Sequence, residues 1–257
     1  MPGLVRTVNK TGALTIGYST LADRVRDIKF SDEFTNLVVI QNPSAIDIPD
    51  LGSEVKVFQL SNTGVAKSRN AAIENTKTDY LLFGDDDVIF KSQGLLEVID
   101  YLEAHPDISI IMAQAVNEKG ALRKHYPRKS HALKLTNSAK AATYEMIIRV
   151  SDIKAAGIRF DENFGAGAAN YLGDEYIFIV DSIRAGLKGE FKPIVIATHP
   201  TESSGTLRNL AKDRTARAKV FTRVFGIWAP GMRLLFIVKP PFKKFGLFNS
   251  LLFILGK

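Results

Sequence analysis

The sequence predicts an α/β fold with a mainly parallel, doubly wound sheet, and three observations lead to this prediction. Short apolar segments of strand-forming residues alternate with segments of helical spacing. The connections between them are short, as in folds whose helices cover both faces of a parallel sheet. The acidic triplet Asp85-Asp86-Asp87 directly follows the apolar segment 80–83. Open α/β sheets bind their ligands at such strand ends.

Each predicted element has a local signal. A helix at 65–75 follows the turn Ser61-Asn62-Thr63-Gly64, and a helix at 93–104 ends before His105-Pro106. Two more helices are predicted, at 21–28 after Ser19-Thr20 and at 173–185 before Gly186. Strands are predicted where aliphatic and aromatic residues cluster, at 14–18, 37–40, 55–60, 80–83, 108–115, 144–150 and 194–197.

The composition is that of a globular protein with a sizeable core. The chain has 257 residues, of which 46% are hydrophobic and 24% charged. It contains no cysteine, which excludes disulfides and thiolate metal sites. We expect neither a signal peptide nor a membrane-spanning segment, because Met1–Lys10 has no apolar stretch and no apolar run approaches about 20 residues.

The positive charge is concentrated at the C-terminal end. The formal net charge is +7, yet no Asp or Glu follows Asp213. We therefore predict two parts, a domain at 1–213 and a basic, amphipathic extension at 214–257. Such a segment is typical of an anchor on an anionic membrane surface, and the alternatives are completion of the core or a contact between two subunits. Its basic residues are Arg214, Arg217, Lys219, Arg223, Arg233, Lys239, Lys243, Lys244 and Lys257.

The acidic triplet predicts a divalent cation site. Mg²⁺ and Mn²⁺ take oxygen ligands, usually one or two carboxylates together with substrate phosphates. His199 follows the last predicted strand, and imidazole is a good ligand for Mn²⁺. The alternatives are an exposed acidic loop and a structural histidine.

Two helix starts predict further site residues. Lys67 and Arg69 lie in the first turns of the helix after Gly64, where charged side chains and the helix dipole favour phosphate. Asp174 and Glu175 open the helix after Gly173, where the dipole keeps a carboxylate ionised, as a general base requires. Ordinary capping of surface helices is the alternative in both places.

Taken in order along the chain, these segments resemble the family 2 glycosyltransferases, which have the nucleotide-sugar-binding GT-A fold. The resemblance covers residues 14–205, about three quarters of the chain. The residues that carry it are Leu14–Thr20, Gly64-Val65-Ala66-Lys67-Ser68-Arg69-Asn70, Asp85-Asp86-Asp87, Phe164-Gly165-Ala166-Gly167 and Gly173-Asp174-Glu175.

The resemblance implies a role for each matching residue. Donor-binding residues would include Ser19 and Thr20 beside the nucleotide, Asn42 at the base or ribose, Arg69 at the diphosphate, and Asp85 at the ribose or donor sugar. Asp87 and Asp85 would bind a Mn²⁺ or Mg²⁺ ion, with Asp86 close by and His199 as a third contact to the metal or to the diphosphate. The family's acidic pair usually has Glu before Asp, whereas here Asp174 precedes Glu175, so position favours Glu175 as the base and residue type favours Asp174.

The resemblance implies an inverting glycosyltransferase that uses a nucleotide-sugar donor, with a UDP-sugar expected. Transfer of a hexosyl or N-acetylhexosaminyl group to a hydroxyl of a glycan or lipid-linked acceptor is expected, in envelope polysaccharide synthesis on the inner face of the cell membrane. We expect no nucleic acid partner, and a homodimer is left open.

Two other functions compete with this one. A sugar-nucleotide nucleotidyltransferase would need a Gly-rich basic signature where the chain has Tyr18-Ser19-Thr20-Leu21-Ala22. A non-catalytic membrane- or nucleic-acid-binding protein would explain the basic extension but not the acidic triplet, which repels phosphate unless a metal is bound. The basic segment 123–134 is either a loop over the donor diphosphate, through Arg128 and Lys129, or an exposed loop.

Overall fold

The structure is a computed structural model that describes residues 10–201, 210–238 and 246–257. Its strands are β1 (Leu14–Leu21), β2 (Thr35–Gln41), β3 (Val55–Leu60), β4 (Tyr80–Asp85), β5 (Ile89–Phe90), β6 (Ile108–Val116), β7 (His131–Ala132), β8 (Met146–Arg149) and β9 (Lys188–Thr198). Its α-helices are α1 (Val65–Asn75), α2 (Ser92–Ala104), α3 (Val150–Ala155), α4 (Asp174–Arg184), α5 (Leu210–Phe225), α6 (Ala229–Ile237) and α7 (Leu247–Ile254).

The nine strands form one sheet in the order β3-β2-β1-β4-β8-β6-β9-β5, with β7 paired to β9. β3, β2, β1 and β4 are parallel neighbours, as predicted. The other half of the sheet is mixed, because β8 lies antiparallel between β4 and β6. An apolar segment carries no signal of its direction, so the sequence predicts a more parallel sheet than the one observed.

Three predicted elements differ in extent or type. The predicted helix at 21–28 is a 3₁₀ helix, Ala22–Asp27. The predicted strand at 144–150 is shorter, because residues before Met146 form a 3₁₀ turn and Val150 already begins α3. β9 begins earlier than predicted, and its register with β6 shifts around Pro193, which has no N–H to donate to a ladder.

Helices cover both faces of the central strands. On one face, Ile16 and Tyr18 of β1 share a core cluster with Leu95 and Ile99 of α2. On the other face, Phe83 of β4 packs with residues of α1 and α4, including Ala72, Ile73 and Phe178. β1 and β4 are therefore buried on both sides, which explains their nearly continuous apolar sequences and leaves only their carboxyl ends for polar groups.

The boundary predicted after residue 213 lies inside α5. Val220 and Val224 of α5 are buried in a cluster with Tyr176, Ile177 and Val180 of α4. The described part of the C-terminal segment is therefore packed on the α/β domain through α5. Lys239, Lys243 and Lys244 lie outside the described residues.

One run, Lys212–Ile237, has the length and composition of a helix that crosses a membrane. It contains α5 and α6, and the chain folds back between them at Gly226–Trp228. The guanidinium of Arg233 in α6 donates a 2.7 Å hydrogen bond to the carbonyl of Ala218 in α5. A straight helix would separate these residues by about 22 Å, so α5 and α6 form a helical hairpin.

Candidate functional site

The predicted site residues gather at the carboxyl ends of β1 and β4. The two strands are in register, with Ser19 beside Asp85, so the acidic triplet emerges next to the end of β1. The side chains of the triplet point to three different partners: Asp85 to Arg69, Asp86 to Thr20 and Arg24, and Asp87 to His199. This separation relieves the repulsion that three adjacent carboxylates would otherwise exert on one another.

Arg69 joins the acidic triplet to the acidic pair at the start of α4. Its guanidinium donates hydrogen bonds to a carboxylate oxygen of Asp174 and, at 3.3 Å, to Oδ1 of Asp85. The Arg69 and Asp174 side chains are buried, with 7% and 4% of their surfaces exposed. The resemblance assigned Arg69 to the donor diphosphate, but in the structure its charge is shared by two carboxylates.

The acidic pair begins α4 after Gly173, whose φ of 91° favours glycine. Asp174 is buried against Arg69, whereas Glu175 is half-buried. Burial raises the pKa of the Glu175 carboxyl to about 8, and the adjoining Asp174 carboxylate contributes to the rise. A carboxyl that titrates near neutral pH can exchange a proton with a reacting group.

The Gly-rich loop at 164–167 closes over the same region. A Cβ on Gly165, whose φ is 96°, would lie 2.8 Å from Cγ of Asp174 and from a methyl of Val65. Val65 donates its N–H to the carbonyl of Ala166, and Gly64 donates its N–H to the side chain of Gln41. These two N–H groups are therefore not free to bind the phosphate that we predicted at the start of α1, because the loop and β2 already supply their acceptors. Lys67 remains half-exposed beside them.

Asp87 and His199 form the second group of facing side chains in the site. Nε2 of His199 lies 3.6 Å from Oδ1 of Asp87. Nδ1 of His199 lies 2.8 Å from the carbonyl oxygen of Pro200 and 3.4 Å from Nε of Arg123. An imidazole nitrogen and a carboxylate oxygen therefore face each other at this end of the sheet edge. These donors fit a divalent cation.

The predicted metal-binding residue Asp85 is bonded to Arg69 instead of converging on Asp87 and His199. Within the described residues, no group of three or more His, Cys, Asp or Glu side chains is arranged to hold a metal ion. A Mg²⁺ or Mn²⁺ site with only two protein ligands is still ordinary, since substrate phosphates and water complete it.

Two predicted donor-binding residues are occupied by a structural contact. The Thr20 hydroxyl donates a 2.8 Å hydrogen bond to Asp86, and Arg24 pairs with the same carboxylate at 2.5 Å. Asp86 is buried, which raises its pKa against the opposing effects of Thr20 and Arg24. Asp86 and Thr20 therefore fix the turn after β4 to the end of β1. Arg24 was not among the predicted site residues, and its side chain is half-exposed at this edge.

Asn42 and Ser19 are also turned to local partners or to the interior. The Asn42 side chain bonds the backbone of Ile46 through both its amide nitrogen and its oxygen, which holds the turn after β2. The Ser19 hydroxyl is buried and has no hydrogen-bond partner in the described part of the chain. The structure thus places both residues at the predicted edge, with their polar atoms directed away from its surface.

The basic loop contributes residues other than those predicted. Arg128 and Lys129 are exposed, whereas the guanidinium of Arg123 lies 3.4 Å from Nδ1 of His199. Lys124 pairs at 2.7 Å with buried Glu145, whose pKa is raised by burial. The basic character of the segment was visible in the sequence, but its contacts with His199 and Glu145 depend on long-range folding.

Part of the chain is similar to a known protein family. Residues 40–161, which include α1 and the acidic triplet, match the sequence profile of Glycosyl transferase family 2. The match covers 122 of the 257 residues, just under half of the chain. A search of curated proteins gave no significant match.

The structure is similar to crystal structures of S. aureus TarS. A TarS 1-349 complex with UDP-GlcNAc matches with a TM-score of 0.53 and 14% identity, over 88% of this chain and 76% of that one. A TarS 1-349 complex with UDP matches with a TM-score of 0.54 and 13% identity, over 83% and 65%. A longer TarS chain matches with a TM-score of 0.52 and 14% identity. This match covers 83% of the present chain but only 44% of the TarS chain. With the family match, these likenesses show that the fold is GT-A.

Proposed function

We propose that this protein is an inverting family 2 glycosyltransferase that depends on Mn²⁺ or Mg²⁺. It moves a hexosyl or N-acetylhexosaminyl group from a nucleoside-diphosphate donor to a hydroxyl of a glycan or lipid-linked acceptor. The observation that carries the proposal is that two pairs of residues lie at one sheet edge. One pair is Asp87 with His199, and the other is Asp174 with Glu175. Arg69 links them, because it binds both Asp174 and Asp85 of the acidic triplet.

A UDP-sugar is the donor that the comparisons favour. Crystal structures of TarS, which has the same fold, contain UDP and UDP-GlcNAc. In this chain, the half-exposed Lys67 and Arg24 flank the edge on which such a donor would lie. Both are cations, and a diphosphate carries the complementary charge.

Asp87 and His199 would hold the metal ion. Their facing oxygen and nitrogen are the donor types that Mn²⁺ accepts, and Pro200 holds the ring of His199 in place. When bound, the ion would supply positive charge that stabilises the diphosphate leaving group. Tyr144 lies against the ring of His199, with ring centroids 4.6 Å apart, and limits its rotation.

Glu175 would remove the proton from the acceptor hydroxyl. Glu175 is half-buried, and Asp174, fixed by Arg69, holds the start of α4 in position. The hydroxyl oxygen attacks the anomeric carbon as the bond to the diphosphate breaks. With one base on the face opposite the leaving group, a single in-line displacement inverts the anomeric centre.

Calorimetric titration of nucleoside diphosphates tests the donor and metal sites together. UDP should bind the wild-type protein in Mn²⁺ and bind much more weakly after chelation with EDTA. Asp87→Ala and His199→Ala should abolish the metal-dependent part, because each leaves a single protein ligand. Exposed Asp100→Ala on α2 is the matched control and should bind as wild type does. Equal UDP affinity with and without metal would contradict the assignment of Asp87 and His199.

A further inference from the structure

The C-terminal helices concentrate the exposed apolar surface of the molecule. Eight of the fifteen large hydrophobic side chains that are exposed in the described residues lie after residue 226. The two most exposed of the fifteen are adjacent at the tip of the α5–α6 hairpin, Ile227 at 88% and Trp228 at 74%. The other seven are spread over residues 21–171. A patch of this kind marks an interaction surface.

The remaining exposed apolar residues follow helical spacing. On α6 and just beyond it, Val238 lies three and four positions after the adjacent Leu235 and Leu234, so the three share one side of the helix. On α7 and just beyond it, Phe248, Leu251 and Leu255 repeat at intervals of three and four. Each helix therefore exposes one apolar stripe.

These stripes belong to a packed unit. The rings of Phe221, Phe236 and Phe253, one from each of α5, α6 and α7, lie with centroids 5.0 to 5.8 Å apart. Arg233 is 4% exposed and donates to the carbonyls of Ala218 and Ile254. The apolar residues on the outside are thus presented by helices whose inner faces are already filled.

The charge of the segment selects the partner. Nine Lys and Arg residues and no Asp or Glu follow Asp213. Among the described ones, Lys219 and Lys257 are exposed, whereas Arg223 pairs with two aspartates of the α/β domain and Arg233 is buried. Two copies of this unit placed face to face would bring like charges together, whereas an anionic lipid surface supplies the opposite charge. Trp beside aliphatic residues with nearby cations is typical of a segment that lies in the membrane interface.

We propose that the unit formed by α5, α6 and α7 docks on an anionic membrane surface, inserting Ile227, Trp228 and the two apolar stripes into the interface. The hairpin between α5 and α6 makes this a peripheral attachment and not a span. α5 also packs on α4, where a Cβ on Gly173 would lie 2.5 Å from a methyl of Val220. Docking would therefore place the start of α4 near the lipid surface, although the docking itself does not depend on the proposed function.

Trp228 is the only tryptophan of the chain, so its fluorescence reports on the tip directly. The full chain is mixed with vesicles of phosphatidylcholine alone or of phosphatidylcholine with phosphatidylglycerol. We expect a blue shift of Trp emission and co-sedimentation with the anionic vesicles, both weakened by high salt. Lys219→Glu should weaken binding, and Leu235→Ser should lower the partition coefficient about tenfold.

Leu122→Ser is the matched control, since Leu122 is 52% exposed and Leu235 56%. It should bind vesicles as wild type does. The proposal is overturned if Trp emission and sedimentation stay unchanged with anionic vesicles. It is also overturned if the blue shift follows protein concentration and a dimer on gel filtration instead of lipid, because the occupant is then a second copy. The readouts use neither donor nor acceptor, so they are independent of glycosyl transfer.

Discussion

The variant Glu175→Gln should lower kcat by about 10²- to 10⁴-fold, the usual contribution of a general base. The donor KM should change little, because Glu175 faces the acceptor side of the proposed site. The measurement is the release of nucleoside diphosphate in a coupled assay at saturating donor. Exposed Glu97 on α2 supplies the matched control, and Glu97→Gln should leave kcat unchanged.

The pH profile gives this prediction a second readout. The base must be ionised, so kcat should rise with pH and level off above about 8, where Glu175 has lost its proton. If Glu175→Gln keeps the activity and the rise, Glu175 is not the base, and Asp174 takes its place.

Thermal stability separates this loss of activity from unfolding. The carboxyl titrates at about 8 in the folded protein and near 4.3 in an unfolded chain. The folded state therefore holds the proton more tightly than the unfolded chain does. The contribution of this proton to the free energy of unfolding is complete below the unfolded-state pKa and is lost as the pH rises through the folded-state pKa. Glu175→Gln lacks this loss, so its Tm at alkaline pH should equal or exceed that of wild type.

Arg69→Ala should have the largest effect on stability, a decrease of about 3–5 kcal/mol in the free energy of unfolding. Removal of the guanidinium leaves the buried Asp174 carboxylate without its partner and also releases Asp85. Activity should fall with it, since Arg69 is the link between the two acidic centres. Chemical denaturation monitored by circular dichroism measures the stability change.

Lys67→Ala is the matched control for this change. Lys67 lies on the same helix but is half-exposed, so its removal should alter the free energy of unfolding by no more than about 0.5 kcal/mol. A decrease below about 1 kcal/mol for Arg69→Ala would show that the buried ion pairs are not required for the fold of the site.

The strands and helices that carry the site could be predicted from local sequence patterns. The strand before Asp85 and the helix carrying Arg69 follow from apolar runs and turn residues, and the motif order placed them at one sheet edge. Side-chain direction was harder to predict. Arg69 and Asp174 are separated by 105 residues and Arg24 and Asp86 by 62. Nothing local shows that these arginines will pair with carboxylates before any donor is present.

In the C-terminal segment, too, the local character was predictable and the long-range contacts were not. Its composition indicated a basic, amphipathic extension. The hairpin depends on one buried arginine, Arg233, which satisfies carbonyls of α5 and α7. Arginine is almost never fully buried without a partner, so a sequence pattern assigns it to the surface.

Proton NMR of a donor turning over without acceptor tests the central claim most directly. The protein is incubated with Mn²⁺ and an α-linked UDP-sugar, so that water replaces the acceptor hydroxyl, and the anomeric protons are followed from the first spectra. The account predicts UDP release with the β anomer of the free sugar appearing first, and no turnover in Asp87→Ala. Initial formation of the α anomer, or a donor that stays unbound and intact, would contradict it.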